Sequence, residues 1–426
     1  MPTLDELKLL QALPLELKIA KTKARIKEWV DFHGVDGVYI SFSGGKDSTV
    51  LLHIARSMYP NIKAVFSDTG LELPSIRSFV KTHENVDWLK PKMTFGEVVK
   101  QYGYPLFSKE ISQAIWYARK IKLTDNDTTP PEKYSSTSKS LEIVGEINSK
   151  LRISGGAIGF ERATLDRTVY EKRLCVNDTT FQAKVFLDGQ VGGKRPSILF
   201  NKEKYLPACQ NLPFLIGDVC CSIMKKRPFH KYAKENHKVP MIATLAEESN
   251  LRTQSWVRNG CNAFESKDPK SQPLSFWLEQ DILQYIKDNN ITIADIYGEI
   301  IYKDKNGNAY DNTLCGHCGK LACSGVARTG CAFCGFGAGN EHKTLGKSRY
   351  QLLAEKYPQI YDFVLRGGEW VENPYYEPCA PEYDPVDGWK NWNPKKIWQP
   401  TANGLGMKFV FDEVNAIYGK DYIKYQ

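Results

Sequence analysis

The sequence predicts an α/β fold with a doubly wound parallel sheet, an inserted subdomain and a cysteine-rich metal-binding segment. Three observations predict it. Short apolar runs alternate with helix-like periods from residue 37 onward, which is typical of parallel strands joined by helices. A glycine-rich tract, SGGKDS at 43–48, follows the first of these runs. Most of the 11 cysteines stand in short groups, and in a protein expected to be cytoplasmic such grouping favours metal ligation over disulfides.

The N-terminal part of the chain carries the clearest alternation. Apolar spacing predicts a helix over about 14–31, and the run at 37–42 predicts a buried strand. Helical spacing follows SGGKDS, and a second strand is predicted at 61–68. Pro74 opens the next helix, because proline fits a first helical turn. A third strand is predicted at 85–90.

Farther along, the pattern weakens and then resumes. The stretch from about 122 to 140 is polar and rich in Pro, Ser and Thr, which indicates an exposed loop. A strand leading into a helix-like stretch is predicted over 239–249. An amphipathic helix is predicted over 274–290, capped by Ser275.

Composition and charge limit the classes of protein. Hydrophobic residues make up 42% and charged residues 25%, as in globular proteins. We expect a cytoplasmic protein without membrane contact, because the first 30 residues lack signal-peptide features and no apolar run reaches the roughly 18 residues of a membrane span. The net charge of +8 suits nucleotides, sulfate esters or nucleic acids without choosing between them.

The SGGKDS tract has the features of a phosphate-binding loop. Gly44 and Gly45 allow a sharp turn that brings backbone N–H groups against an anion. The helix that starts near Asp47 directs its positive dipole end to the same place. Lys46 supplies a cation, and Asp47 is expected to orient the loop or to help hold Mg²⁺. The pattern matches neither the Walker A motif nor the dinucleotide GxGxxG motif.

The tract SFSGGKDSTVLLH resembles the PP-loop of the N-type ATP pyrophosphatases and of the adenylylsulfate and phosphoadenylylsulfate reductase group. FSDTGLELPSIRSFV at 66–80, GYPLFSKEIS at 103–112, LAEESNLRTQSWVRNGCNAF at 245–264 and the PLSFWLEQDILQYI helix resemble that group too. The resemblance covers roughly 35–120 and 215–340, and it implies binding of ATP with Mg²⁺. The implied nucleotide-binding residues are Ser41, Ser43, Gly44, Gly45, Lys46, Asp47, Ser48, Asp68, Thr69, Gly70, Arg252 and Arg258.

The resemblance also implies a metal centre. Reductases of adenylylsulfate bind a [4Fe–4S] cluster through a Cys-Cys pair and a distant C-x-x-C. Cys220 with Cys221, and Cys331 with Cys334, match this arrangement. Lys225 matches a lysine that lies between cluster and substrate in that family. The implied catalytic residues are therefore Lys46, Asp47 and Lys225.

Zinc is the alternative metal. Cys315, Cys318 and Cys323, together with the later C-x-x-C, can form a structural zinc ribbon, because four thiolates complete a tetrahedral site. The same three cysteines are also candidates for a second metal site beside an iron–sulfur cluster.

The chain departs from the reductase pattern in two places. The C-terminal Glu-Cys-Gly-x-His motif that carries the reductase nucleophile is missing, and Cys379 is the late cysteine left for that role. The SGGKDS loop is complete, whereas the reductases degrade it. This combination resembles sulfurtransferases related to phosphoadenylylsulfate reductase, including the DNA phosphorothioation enzymes and some tRNA thiolases.

Three functions remain open from the sequence. The first is an ATP-using enzyme that adenylates an acceptor and transfers sulfur with help of the cluster. The second is a reductase that releases sulfite from an adenylylated sulfate. The third is a nucleotide-binding component of a modification or defence complex without turnover. Expected partners are the nucleotide, a nucleic-acid acceptor, a sulfur-donor or redox protein and a second copy of the chain.

The expected organisation follows from these motifs. It comprises an N-terminal helical segment at 1–34, a nucleotide-binding part at 35–121, an insertion at 122–215, a second part with the metal centre at 216–345 and a C-terminal extension at 346–426.

Overall fold

The computed structural model describes residues 2–120, 203–304, 309, 319–339, 341, 347–376, 378 and 392–426. They form two compact units, and each unit combines two separate chain segments. Unit 1 consists of Met1–Thr94 and Cys221–Ala332, and unit 2 of Phe95–Cys220 and Phe333–Gln426. Most of the expected insertion at 122–215 lies outside the described residues, and the domain boundaries expected from the sequence stay predictions.

The helices are numbered in chain order. They are α1 (Leu4–Gln11), α2 (Leu15–His33), α3 (Lys46–Met58), α4 (Pro74–Lys81), α5 (Phe95–Tyr102), α6 (Lys109–Lys120), α7 (Leu206–Asn211), α8 (Arg227–Asn236), α9 (Asn250–Asn259), α10 (Glu279–Asp288), α11 (Arg349–Lys356), α12 (Pro358–Leu365) and α13 (Met407–Tyr418).

The strands are numbered in the same way. They are β1 (Val38–Ser41), β2 (Ala64–Ser67), β3 (Val86–Leu89), β4 (Leu106–Phe107), β5 (Val239–Ile242), β6 (Asn262–Ala263), β7 (Lys270–Ser271), β8 (Ile300–Lys303), β9 (Lys320–Cys323), β10 (Gly335–Phe336), β11 (Glu369–Glu372) and β12 (Lys396–Gln399).

Unit 1 is built on a six-stranded sheet with the order β3-β2-β1-β5-β7-β6. The first five strands pair in parallel, and β6 pairs antiparallel with β7. This confirms the predicted α/β fold with a parallel sheet. The chain runs outward from β1 through β2 to β3 and later adds β5 on the other side of β1. A reversal of this kind leaves a crevice at the carboxyl ends of the strands, where open α/β sheets bind ligands.

The central strands are apolar because both faces of the sheet are covered. Val38, Tyr39 and Ile40 of β1 are buried, as is every residue of β2. Burial on both faces is expected of parallel strands joined by helical crossovers. The strands predicted at 37–42, 61–68 and 85–90 and the helix predicted at 14–31 are thereby confirmed.

One helix start differs from the prediction. The helix predicted from 274 and capped by Ser275 begins at Glu279 instead. The backbone N–H of Leu278 donates to the Asp281 carboxylate at 2.7 Å, which starts the helix there. Ser275 is buried, and its carbonyl accepts the Ala246 N–H before the helix begins. The residues at 274–278 are largely apolar because they belong to the core. This apolar run resembles the start of a helix, which explains the early start predicted from the sequence.

Helix α2 is fastened to the start of α10 by buried polar contacts. The Lys18 ammonium lies 2.6 Å from the Asp281 carboxylate, and the Lys18 side chain is only 2% exposed. The Trp277 indole N–H donates to the Thr22 hydroxyl at 2.8 Å, and both residues are fully buried. A charged group is costly to bury without its partner. Removal of one member of this ion pair should therefore destabilise the fold strongly.

Unit 2 has smaller sheets. Strands β4 and β10 pair in parallel, and β11 and β12 pair antiparallel. The Arg119 guanidinium on α6 donates to the carbonyls of Ala208, Cys209, Leu212 and Phe214 and lies 4.3 Å from the ring centroid of Trp392. Among the described helices of either unit, none is both long and apolar enough to cross a membrane.

A lysine comparison within α2 tests the buried ion pair. We expect Lys18→Met to lower the free energy of unfolding by about 3 kcal/mol, because the half-buried Asp281 carboxylate then loses its cation. Lys27→Met is the matched control, since the Lys27 side chain is 63% exposed and pairs with Asp31 on the same helix. Its change should be far smaller than that of Lys18→Met, because exposed ion pairs contribute little to stability. Equal losses in urea denaturation of the two variants would contradict this account.

Candidate functional site

The loop between β1 and α3 is held by its own hydroxyl groups. The Ser43 and Ser48 hydroxyls lie 3.0 Å apart, and the Ser48 hydroxyl also donates to the Gly45 carbonyl at 2.9 Å. Gly44 has a φ of +71°, which L side chains rarely adopt, and an added Cβ would lie 2.8 Å from Val80 Cγ2. The chain can form this tight loop because Gly44 tolerates the left-handed backbone and the Ser43 and Ser48 hydroxyls supply hydrogen bonds within the loop.

Lys46 is the first residue of α3 and is almost fully buried, with 5% of its surface exposed. Its ammonium lies 2.9 Å from Glu279 Oε1 and donates to the Ala327 carbonyl at 3.1 Å. Burial lowers the pKa of Lys46, but Asp47 and Glu279 together raise that pKa above its ordinary value. The site therefore holds a permanent cation at a helix N-terminus, where anions bind well.

Asp47 faces the same cavity. Its Oδ1 atom is buried and has no hydrogen-bond partner among the described residues, and it lies 4.0 Å from the Lys46 ammonium. Burial raises the pKa of Asp47, while Lys46 acts in the opposite direction. A buried carboxylate oxygen without a hydrogen bond is available as a ligand for a hard cation.

The wall of the cavity comes from segments far along the chain. The Tyr297 hydroxyl accepts the Lys46 N–H at 3.4 Å and lies 2.7 Å from the Thr329 hydroxyl. The Glu248 carboxylate pairs with Arg252 and lies 3.8 Å from the Arg328 guanidinium. The residues that line the cavity are Ser43, Gly45, Lys46, Asp47, Leu245, Glu248, Glu279, Tyr297, Arg328 and Thr329.

The loop after β2 does not line this cavity, and its polar groups have local partners. The Asp68 carboxylate accepts from the Arg77 guanidinium at 2.7 Å and from the Gly70 N–H at 3.3 Å. The Thr69 N–H and hydroxyl both donate to the Glu72 carboxylate, at 3.1 and 2.8 Å. These residues lie at the carboxyl edge of the sheet, as the sequence predicts.

Cys221, Cys331 and Lys225 come together elsewhere in unit 1. Cys221 precedes a π-helical segment, Ser222–Lys226, a geometry that is common at functional sites. Lys225 of this segment lies 3.5 Å from Glu72 and hydrogen-bonds Cys331. Burial lowers the Lys225 pKa, but Cys331, Glu72 and Cys221 together raise that pKa above its ordinary value. Burial raises the pKa of Cys331, and Lys225 opposes this effect.

The other predicted metal ligands differ in their location and burial. Cys220 is buried and Cys334 is half-buried, and both belong to unit 2. Cys323 lies buried on β9, and burial raises its pKa. Cys315, Cys318 and Cys379 fall outside the described residues. Within the part of the chain that the structure describes, no three or more His, Cys, Asp or Glu side chains form a metal-binding group.

The phosphoadenosine phosphosulfate reductase domain model matches residues 37–122 and 189–334, which is more than half of the chain. The chain belongs to this family. The match covers the PP-loop, the strand that follows it and both cysteine motifs. A search of curated proteins found no match.

Within this reductase-domain fold, the structure brings together some of the predicted residues and not others. Ser43, Gly45, Lys46 and Asp47 line one cavity, and Arg252 reaches its edge through Glu248. Ser41 ends β1, while Gly44 and Ser48 hold the loop without lining the cavity. Arg258 is exposed in the last turn of α9, so its expected role stays a prediction.

Several cavity residues of this family member were missed from the sequence. Glu248, Glu279 and Tyr297 lie about 200 residues or more after Lys46, and their contacts depend on the tertiary fold. Arg328 and Thr329 could have been recognised from the sequence, because they lie three and two residues before the predicted ligand Cys331. Arginine is favoured where proteins bind phosphate, so Arg328 in particular is a usable signal for an anion site.

A comparison of Gly44 with Gly70 distinguishes the steric effect of an added Cβ from the conformational cost of a left-handed backbone. Gly44 and Gly70 have φ values of +71° and +73°, but an added Cβ at Gly70 has no atom within 4 Å. We expect Gly70→Ala to cost about 1–2 kcal/mol of unfolding free energy, the left-handed penalty alone. Gly44→Ala should cost clearly more and should abolish nucleotide binding, as measured by urea denaturation and calorimetry. Equal costs would rule out tight packing of the loop on α4.

Proposed function

We propose that this chain is an ATP-using enzyme that adenylates an acceptor and then transfers sulfur to it. The observation that carries this proposal is the cavity at the complete PP-loop, with the buried ammonium of Lys46 at a helix N-terminus. A substrate that already carries an adenylate has no β- and γ-phosphates for such a loop to hold. A loop that keeps its cation and both glycines suits a triphosphate that is cleaved between its α- and β-phosphates.

The proposed first step uses the cavity directly. An acceptor oxygen attacks the α-phosphorus, the bond to the bridging oxygen of pyrophosphate breaks, and the acceptor keeps AMP. Lys46 and the backbone N–H groups at the start of α3 would stabilise the charge that develops on the leaving pyrophosphate. Glu279, which now pairs with Lys46 at 2.9 Å, would give way to a phosphate oxygen.

Magnesium fits this step through the donor chemistry of Asp47. Its buried Oδ1 is an oxygen ligand of the kind Mg²⁺ prefers, and Mg²⁺ is usually bound by one or two carboxylates together with substrate phosphates. When bound, Mg²⁺ neutralises phosphate charge. Asp47 would hold it, while Lys46 keeps the phosphates in place.

The proposed second step uses the thiols. The AMP on the acceptor makes an oxygen into a leaving group. The terminal sulfur of a persulfide-type donor attacks the acceptor atom that carries this oxygen, the bond to the oxygen breaks and AMP leaves. A second thiol of the donor then attacks the inner sulfur, so that the S–S bond breaks, the outer sulfur stays on the acceptor and the donor is left as a disulfide. Cys221 and Cys331, with Lys225 beside them, fit a thiolate-bound [4Fe–4S] cluster in donor chemistry, since thiolates are its ligands. Cys220 is joined to Cys221 by a peptide bond, and Cys334 follows Cys331 by three residues. Such a cluster would supply electron or sulfur chemistry.

The acceptor is proposed to be a nucleic acid, which the net charge of +8 supports. The family match itself supports a second candidate, reduction of an adenylylated sulfate. That reaction cleaves a sulfur–oxygen bond with two electrons from a dithiol donor, and releases sulfite and AMP. Cytoplasmic location is part of the same proposal.

Loss of the loop cation tests the nucleotide function. At ATP·Mg²⁺ concentrations about 100-fold above its Kd, the wild-type chain should gain about 2.7 kcal/mol of stability. Lys46→Met should lose this gain, and Lys27→Met should keep it. ATP-dependent pyrophosphate release with bulk tRNA or DNA as acceptor should also disappear in Lys46→Met. Stabilisation by adenylylsulfate with none by ATP would favour the reductase, and ATP binding without pyrophosphate release would favour a non-catalytic component.

Metal analysis tests the thiol centre. Protein purified without oxygen should contain about four irons per chain. Cys221→Ala and Cys331→Ala should lose most of this iron. Cys261→Ala is the matched control, because Cys261 is a buried cysteine of unit 1 whose sulfur accepts a hydrogen bond from Ser275. Zinc without iron would contradict the cluster and favour the zinc ribbon.

A further inference from the structure

The segment Ser67–Glu72, called here the β2 loop, contacts both cysteine-bearing segments of unit 1. The Ser67 hydroxyl donates to the Met224 carbonyl at 3.2 Å, three residues after Cys221 and one residue before Lys225. The Leu71 carbonyl accepts the Ala332 N–H at 2.7 Å, within the C-x-x-C motif. One loop therefore contacts the segment that follows Cys221 and the residue next to Cys331.

Glu72 joins the two ends of this loop. Its carboxylate accepts the N–H of Thr69 at 3.1 Å and the Thr69 hydroxyl at 2.8 Å, and it lies 3.5 Å from the Lys225 ammonium. The Glu72 side chain is only 8% exposed. A buried carboxylate needs such partners, because without them its desolvation is costly.

Lys225 extends the connection to the thiols. It hydrogen-bonds Cys331 and interacts electrostatically with Cys221. Thr69, Glu72, Lys225 and Cys331 thus form a continuous chain of polar contacts within unit 1. Thr69 does not line the cavity at the PP-loop, but it follows β2 at the carboxyl edge of the same sheet, where open α/β sheets bind ligands. A nucleotide that extends from the cavity along this edge would meet the chain of contacts at Thr69.

We propose that Glu72 is a positioning residue that couples occupancy of the nucleotide site to the Cys221 and Cys331 segments. This rests on the proposed nucleotide function. A ligand that engages Thr69 changes the partners of the Glu72 carboxylate, and Glu72 transmits the change to Lys225 and to the β2 loop. Order in the loop then sets order at Ala332, whose N–H is bonded to Leu71. Physical coupling of this kind needs contiguous contacts, and the contacts of Glu72 with Thr69 and with Lys225 supply them.

Hydrogen exchange of the full-length chain tests the coupling. In the wild type, saturating ATP·Mg²⁺ should slow exchange at the Ala332 amide by about fivefold or more. Glu72→Gln keeps an oxygen acceptor for Thr69 but removes the charge that pairs with Lys225. It should keep its ATP affinity by calorimetry and lose the protection at Ala332.

Two further variants sharpen the test. Asp87→Asn breaks another carboxylate–lysine pair of unit 1, in which Asp87 lies 3.1 Å from the Lys63 ammonium, and it should keep the protection. Lys225→Met removes the Glu72–Lys225 ion pair by taking away the lysine. It should abolish the protection by itself, and the double variant with Glu72→Gln should show no additional loss, because residues of one network are not additive.

Each outcome bears on the proposal. Full protection in Glu72→Gln would overturn it. ATP binding to the wild type without protection at Ala332 would overturn the coupling and leave the nucleotide function standing, whereas absence of ATP binding would remove both. Should Glu72→Gln fail to fold, Lys225→Met and Glu72→Asp, whose shorter side chain cannot span both partners, give the same decision.

Discussion

An ammonium group withdrawn from water must be surrounded by oxygen atoms, and the ammonium of Lys46 imposes this requirement on unit 1. The group is 5% exposed and is contacted by Glu279 and the Ala327 carbonyl. These partners come from α10 and from the segment before the C-x-x-C motif. The PP-loop therefore depends on distant segments that must fold against it before a phosphate can replace Glu279.

The same requirement explains why helix α2 matters to the site. Glu279 is the first residue of α10, and the start of α10 is fixed by the Asp281 carboxylate. Asp281 is in turn paired with Lys18 of α2. A helix that the sequence predicts only from its apolar spacing thus fixes the carboxylate that faces the loop cation. Its contribution to the site is positional, through two successive ion pairs.

The sequence predicted what depends on local pattern. Strands β1, β2 and β3 and the loop Ser43–Ser48 could be recognised because apolar runs, glycines and hydroxyls are adjacent in the chain. Glu279, Tyr297 and Glu72 could not, since each acquires its role through a partner that the tertiary fold supplies. The helix start at Glu279 was misjudged because the residues at 274–278 are apolar for the sake of the core rather than for helical amphipathicity.

The strand order also has a consequence for synthesis of the chain. Strand β1 pairs with β2 on one side and with β5 on the other, and β5 follows β1 by about 200 residues. At ribosomal rates of about 5–20 residues per second, one edge of β1 waits roughly 10–40 seconds for its partner. An unpaired apolar edge is a template for aggregation. The nascent chain therefore has a long interval in which the central strand of the future sheet has one edge without its native partner.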